Sequence, residues 1–488
     1  MMLLNVKNSE KIVRWIDYTI IVILCVFCVK YMTYEGRFFA EKSFQFSFLN
    51  FPVFVGEFLL AGLLIFFIVR AFFAKIVLEQ WHLVFCLFVT FIVLKALWGY
   101  MHWGPLALRD AALFYYVLFG WLSFVCFRLS LFNKWMVLIL YAALMWLYFN
   151  VKFNEYWMMP RIYLGIVLAM LYEDRRVGVL MALGIIICTP FELFINTSRS
   201  VMLGNFLSVV LLLVTWPFFV APAKRMKYFF VSLLALMIFA AYIFHFSGSR
   251  PAQGLLAIDK LKLFLNETQQ EIDSKKPTFK KREQVETVMI FSPNEEVPDK
   301  PVVVAVQPVA PAEPIPQPVS QVQVKKREVD SKESTEGMKL GNSIFRILLW
   351  KDAWMQIAES KEMFGIDFGK PFRSKNLEII RSAVDEWKRD GWIAMHNSYL
   401  NILYRGGIVG AIFMITLISL YIYMVKVFIS HQSLVGLLMC ASLIVPFVAA
   451  FFAVTLELPY TAVPIWTLFG MTLAVARLTK AREFKTSS

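Results

Sequence analysis

No cysteine lies between Cys188 and Cys440, the stretch that contains the most polar part of this 488-residue chain. All six cysteines (Cys25, Cys28, Cys86, Cys126, Cys188 and Cys440) sit inside apolar runs, so no disulfide framework is implied. Cys25 and Cys28 have C-x-x-C spacing, but inside an apolar run that spacing reads as packing rather than redox chemistry. Histidine is scarce. His82, His102, His245, His396 and His431 are scattered, without an H-x-x-x-H or a D-x-D, so no sequence-local metal set is present. There is no P-loop and no G-x-S-x-G, which removes the common nucleotide and serine-nucleophile signatures. No internal repeat is found. Acidic residues are also few, 35 against 49 lysines and arginines, for a net charge of +14. That excess carries no nucleic-acid motif. It is spread over short loops between apolar runs, where basic residues set membrane topology. Lys7, Lys11 and Arg14 precede the first run and no small-residue cleavage site follows, so this run reads as an uncleaved helix.

What the chain has in abundance is apolar surface. Hydrophobic residues make up 59%, 47 of them phenylalanine, and mean hydropathy is +0.62. Soluble domains reach roughly 45–50% even with glycine counted. Apolar runs near the ~20 residues of a spanning helix recur, and the ~10-residue alternation of a membrane barrel does not. The expected class is an all-α polytopic membrane protein of about twelve spans, at 15–33, 52–70, 80–98, 111–128, 135–150, 161–173, 177–195, 201–220, 228–246, 399–426, 433–455 and 459–477. With a cytoplasmic N-terminus the inside loops hold Arg70 and Lys75; Arg128 and Lys134; Arg175 and Arg176; Lys224, Arg225 and Lys227; Lys426; and Arg477, Lys480, Arg482 and Lys485. The positive-inside rule is then obeyed throughout. Both termini are expected in the cytoplasm and the long polar segment outside, in the periplasm of a bacterium.

Three parts follow: spans 1–9 in 1–246, a periplasmic loop over 247–396, and spans 10–12 with a cytoplasmic tail in 397–488. Within the loop, "VPDKPVVVAVQPVAPAEPIPQPVSQVQV" (297–324) has the composition of an extended, disordered insert. The flanks read as amphipathic helices: Ile344, Leu348, Trp354 and Ile357 on one side, and Leu377, Ile380, Val384 and Trp387 on the other. Between them "FGIDFGKPF" reads as a turn, with Gly365 and Gly369 as breakers.

His396 stands one turn ahead of the tenth span. Its ordinary pKa of ~6.5 suits proton transfer near neutrality; equally, it could cap the helix together with Asn397 and Ser398. A set of arginines falls at outer helix ends against the topological trend: Arg109, Arg161, Arg199 and Arg250, with Arg346 on the loop helix. Guanidinium groups bind phosphate oxygens bidentately. Each could instead snorkel or form an ion pair, Arg109 with neighbouring Asp110 above all. Loop carboxylates that could assist are Asp352, Asp367 and Asp385. Lys95, Glu57 and Glu457 are the conspicuous mid-span charges. A transporter would show inverted repeats or broken helices, and neither is expected. A sensor or scaffold would show no arginine–histidine set at one membrane face.

The chain resembles the O-antigen ligase and O-antigen polymerase superfamily of bacterial membrane glycosyltransferases. The resemblance rests on the twelve-span plan with one large loop before the last three spans, on "NTSRS" opening a span, on "SIFRILLWKDAW" followed by "FGIDFG", and on "HNSYLNILYRGGIVGAIF". It covers 196–415; earlier residues match in topology alone, and "IDFG" keeps one glycine where members often have two. It implies a GT-C-like bundle in the cytoplasmic membrane. It also implies a metal- and cofactor-free transfer, with inversion, of a glycan from undecaprenyl pyrophosphate to a lipid A-core sugar or another glycan. Arg199, Arg346 and, more loosely, Arg250 would hold the pyrophosphate. His396 would activate or orient the acceptor hydroxyl, with Arg109, Arg161, Asn397 and Tyr399 in support. A polymerase of the same superfamily is the second reading, and "LALRDAALFYY" resembles a stretch of exopolysaccharide polymerases. A transporter of a polyisoprenoid-linked sugar is the third. Membrane lipids are expected partners and nucleic acid is not.

Overall fold

The computed structural model describes residues 6–40, 43–46, 51–74, 80–150, 153–188, 198–246, 331–374 and 395–486. Met1–Leu256 and Ser343–Ser488 make one compact unit. A second, Ala257–Asn342, contributes only 331–342 to the described residues. The expected Pro-rich insert (297–324), the second amphipathic helix (377–387) and Arg250 lie outside the described residues.

Long apolar runs in helix-forming residues give long helices. In chain order they are α1 Val6–Met32, α2 Tyr34–Ala40, α3 Val55–Phe73, α4 Gln80–Trp103, α5 Leu106–Tyr115, α6 Val117–Cys126, α7 Lys134–Asn150, α8 Met158–Leu171, α9 Arg175–Ile187, α10 Arg199–Thr215, α11 Arg225–Phe246, α12 Ser331–Ser360, α13 Ser398–Ser430, α14 Leu434–Ala449 and α15 Pro459–Thr486. A helix overlaps each of the apolar runs read from the sequence. Among the described residues, seven helical stretches are long and apolar enough to cross a membrane: Ser9–Met32, Val55–Phe73, Leu83–Trp103, Leu106–Cys126, Arg199–Phe219, Ser398–Ser430 and Pro459–Ala481. Lys134–Asn150 and Leu434–Ala449 are shorter apolar helices. The all-α expectation needs one correction. Ser43–Phe46 (β1) and Phe51–Phe54 (β2) pair antiparallel, Ser43 opposite Phe54 and Phe46 opposite Phe51. Aromatic residues in a short polar gap favour a ribbon over a helix.

The core of the bundle is α15. Ala462, Val463, Ile465 and Trp466 are fully buried, and α1, α6 and α14 pack around it. Its contact with α6 needs glycine on both sides: a Cβ at Gly120 would meet the Trp466 carbonyl at 3.0 Å, and one at Gly470 would collide with the Gly120 carbonyl and Ser123 Oγ. Close backbone approach through small residues is how apolar helices gain contact where water does not drive them together. By contrast, α13 turns Ile408, Ile412, Ile415, Ile418 and Ile422 outward, an apolar stripe suited to lipid.

The expectation of unbroken helices is overturned in α13. At Gly407 the backbone leaves helical geometry, with φ 53° and ψ −133°. A loop fills the break. Ile366 N donates to Tyr404 O (2.8 Å) and Ile408 N to Met363 O (2.9 Å), so the groups freed by the break are satisfied by protein. The loop turns where the sequence indicated, with φ +76° at Gly365 and +82° at Gly369. Gly407 holds a conformation closed to residues with a Cβ, and an added Cβ would strike Met363 O and Gly365 N. Gly407→Ala should destabilise the protein by at least ~1–3 kcal/mol. A drop in the thermal midpoint in detergent checks this; a midpoint equal to wild type would mean the break is unstrained.

A second correction concerns α12. Trp354, expected on its apolar face, is exposed, and the buried stripe is Leu348, Leu349, Asp352 and Ala353. Asp352 faces inward because Ser374 Oγ donates to its carboxylate.

Candidate functional site

The start of α13 is fastened to the turn between α14 and α15. Ser398 N donates to Ala450 O (2.9 Å), and Ser398 Oγ accepts from Thr455 N (3.1 Å) and Leu456 N (3.2 Å). Asn397 caps the helix, its Oδ1 accepting from Leu400 N at 3.0 Å, a common N-cap arrangement. Tyr399 donates its hydroxyl to Phe447 O (2.9 Å) and packs on Phe451 at 4.3 Å. Asn397 and Tyr399 therefore hold the backbone that presents His396. The cap is Asn397 alone, which leaves the His396 ring to other contacts. His396 itself has φ +50°, a left-handed conformation that turns the chain into the helix.

Helix α12 lies against this segment. Trp350 Nε1 donates to Met395 O (2.9 Å), and its ring is 6.4 Å from that of Phe452. One turn back on the same helix, Arg346 is close enough for its charge to bear on His396. Burial, and then that charge, hold the imidazole below its ordinary pKa. Arg346 Nε is buried and has no hydrogen-bond partner among the described residues. Arg199 opens α10 and is exposed; Ser198 ahead of it donates its N–H to Glu155 Oε2 (2.9 Å). Among the described residues, the Arg199 guanidinium makes no hydrogen bond or ion pair. One turn along α10, the backbone at Gly204 abuts that at Val445, so α10 begins near the end of α14 where Ala450 meets Ser398. His396 and Arg346 are thus brought together, and Arg199 begins a helix packed on the same end of α14.

Arg161 and Arg109 are engaged by the protein. Arg161 is buried, with its guanidinium over the rings of Tyr148 (4.1 Å) and Phe153 (4.6 Å). Arg109 lies over Phe54 at 3.8 Å and pairs with Glu57 at 3.5 Å. Asp110, read as the neighbour that could neutralise Arg109, instead meets Arg405 at 3.0 Å and accepts from Gly369 N at 2.7 Å. Glu57 also accepts from Tyr115 OH at 2.6 Å. Glu457, in the turn before α15, accepts from Asn401 Nδ2 at 2.8 Å, and burial pushes its carboxyl up to about 7.

Sequence reading missed Lys95 and Arg405 as a pair. Lys95 Nζ donates to the carbonyls of Phe364, Gly365 (2.7 Å) and Arg405 (2.7 Å). Arg405 donates to Asp367 O (2.5 Å) and Lys370 O (2.9 Å). The signal was the unusual lysine in an apolar run and the arginine beside the Gly-Gly pair; the carbonyls that take Lys95 lie 269–310 residues away, and those that take Arg405 35–38 residues away. Among the described residues, no three metal-ligating side chains gather.

The chain is a multi-pass helical membrane protein in which Arg346 lies near His396 at the start of α13. A family model described as O-antigen ligase matches residues 181–415, a little under half of the chain, which makes this segment similar to that family. Arg199, Arg250, Arg346, His396, Asn397 and Tyr399 fall inside the match; Arg109 and Arg161 fall outside it. No curated protein and no solved structure matches the chain.

Proposed function

We propose that the protein is a membrane glycosyltransferase of the O-antigen ligase type. It moves a glycan from an undecaprenyl pyrophosphate donor to a lipid A-core sugar, without metal, on the periplasmic side of the bacterial cytoplasmic membrane. In this reading the chain crosses the membrane about twelve times with both termini inside, so the ends of α10 and α13 that carry Arg199 and His396 face out. The observation that carries the proposal is the pairing of Arg346 with His396 inside the matched segment. Arg199 and Arg346 hold the pyrophosphate, whose charge grows as it leaves and which fixed donors stabilise. His396, kept neutral, takes the proton of the acceptor hydroxyl as that oxygen attacks the anomeric carbon. Direct displacement inverts that carbon. Binding of the diphosphate also offsets the Arg346 charge, making His396 more basic when the donor is in place.

The sign of the pH effect follows. A neutral imidazole is the active form, and burial with Arg346 lowers its pKa, so the acid limb of kcat/KM lies below ~6.5. Arg346→Gln should move that limb upward, toward ~6.5, besides lowering the rate. A limb that stays in place would disconnect Arg346 from His396.

The test of the whole reading is complementation of a ligase-null strain with a compatible core and O-unit, followed by a gel of the surface glycan. Restored long-chain lipopolysaccharide supports the ligase. Longer lipid-linked chains without ligation would make the protein a polymerase, although the "LALRDAALFYY" stretch gives that reading little support, since its charges serve Glu57 and Arg405. Transfer activity absent from purified protein given donor and acceptor would remove the enzyme reading.

A further inference from the structure

Two cations, Lys95 and Arg405, together with Asp110, stand outside the proposed transfer chemistry, and all converge on the loop 363–370. Lys95 comes from α4 and takes three carbonyls: Phe364 and Gly365 from the loop, and Arg405 from the last turn before the break in α13. Arg405 takes two more loop carbonyls, those of Asp367 and Lys370. Asp110, from α5, neutralises Arg405 and receives the Gly369 N–H. Helices carry negative ends at their C-termini, where carbonyls are left over. The break in α13 creates such an end inside the protein, and the Lys95 ammonium is placed on it.

The loop continues directly from α12, which carries Arg346. The same region is tied further up: Tyr404 OH donates to Gln356 Oε1 (2.8 Å), Gln356 Nε2 to Arg373 O (2.7 Å), and Ser374 Oγ to Asp352. Trp350 completes the series at Met395, next to His396. Tyr404 ties α13 to α12, Arg373 and Ser374 fold the following loop back on α12, and Trp350 reaches the residue before His396.

We propose that Lys95, Asp110 and Arg405 are positioning residues for transfer: by locking the loop 363–370 into the break of α13 they set where α12 lies, and so hold Arg346 against His396. This rests on the transfer site proposed above. The cations bind protein carbonyls rather than the donor, so they act through Arg346. A misplacement of about 1 Å in such a site can cost ~10²-fold in rate.

The test is a double-mutant cycle on purified, detergent-solubilised protein, with donor and acceptor supplied and monodispersity checked for each variant. Lys95→Met is measured in the wild-type background and in Arg346→Lys, which keeps a cation but not the paired donors. Positioning through Arg346 predicts a loss of ~10²-fold in the first background and a much smaller one, under ~3-fold, in the second, because both changes spoil the same contact. Lys95→Arg should recover much of the rate. Equal losses in both backgrounds would overturn the proposal, as would wild-type activity in Lys95→Met. If Lys95→Met does not accumulate, Lys95→Gln, which keeps N–H donors on a shorter side chain and should lose less, enters the same cycle, and an equal loss in both backgrounds would again overturn the proposal. An Arg346→Lys variant as active as wild type would instead sink the transfer-site reading, and this inference with it.

Discussion

His396→Ala should lower transfer by roughly 10²–10⁴-fold, the usual worth of a positioned acid–base group, while the protein still folds. The histidine is set between two fixed points that do not use its ring. Met395 receives Trp350 through its backbone carbonyl, and Asn397 caps α13 through its own side chain. The left-handed backbone at His396 remains after substitution, so a control is His396→Asn, because asparagine tolerates φ +50° better than alanine. If both variants lose transfer and keep the wild-type thermal midpoint, the loss belongs to the imidazole. If Asn restores the rate, the ring was needed only for the turn. Full activity in His396→Ala would remove the histidine from the chemistry.

Arg405→Met carries the largest expected effect on stability. Arg405 and Asp110 are 3% and 7% exposed, and their contact is 3.0 Å. Removing one member of a buried ion pair leaves the other charged and desolvated, at a cost of about 3–5 kcal/mol. Here Asp110 would keep the Gly369 N–H among the described residues, the Lys370 carbonyl would lose the Arg405 donor, and the Asp367 carbonyl would keep only the longer bond from Lys370 N (3.3 Å). Asp110→Leu should cost a similar amount. The double variant should be less destabilised than the sum of the two, since it leaves no unpaired charge. Thermal unfolding of the three variants in detergent decides this. Additive losses would mean that the two residues act independently despite their contact.

Hydropathy made the bundle legible, because an apolar run of ~20 residues has few other destinations. Gly365 and Gly369 marked their turn correctly, since a glycine in a polar stretch next to apolar residues has few other uses. The break at Gly407 was not legible. "YRGGIVG" sits in a strongly apolar helical run, and what opens it is a loop some forty residues earlier and a lysine 310 residues before Arg405. The arginines show the same limit more sharply. Arg109, Arg161, Arg199 and Arg346 look alike in sequence, each a cation near an outer helix end. They separate only when their neighbours are known: a carboxylate and a ring for Arg109, two rings for Arg161, and a histidine for Arg346. Local sequence reports that a charge is present, and tertiary contact decides whether it is spent on the fold. The expected apolar face of α12 failed for a related reason, because the partner that draws Asp352 inward is Ser374 on the returning loop.

The burial of α15 has a consequence for how the protein is made. This helix packs against α1 and α6, with Trp466 fully buried and Gly120 and Gly470 nearly touching across the interface. Yet the ribosome delivers α1 and α6 more than three hundred residues before it. Until then the bilayer holds helices whose best partner does not exist, and lipid must fill its place. The core around α15 is therefore complete only once α15 enters between helices already resident. The turn that ties Ser398, next to His396, to 450–456 is completed in the same act. A chain released before that point would expose apolar helices to the membrane, with the backbone beside His396 not yet fastened.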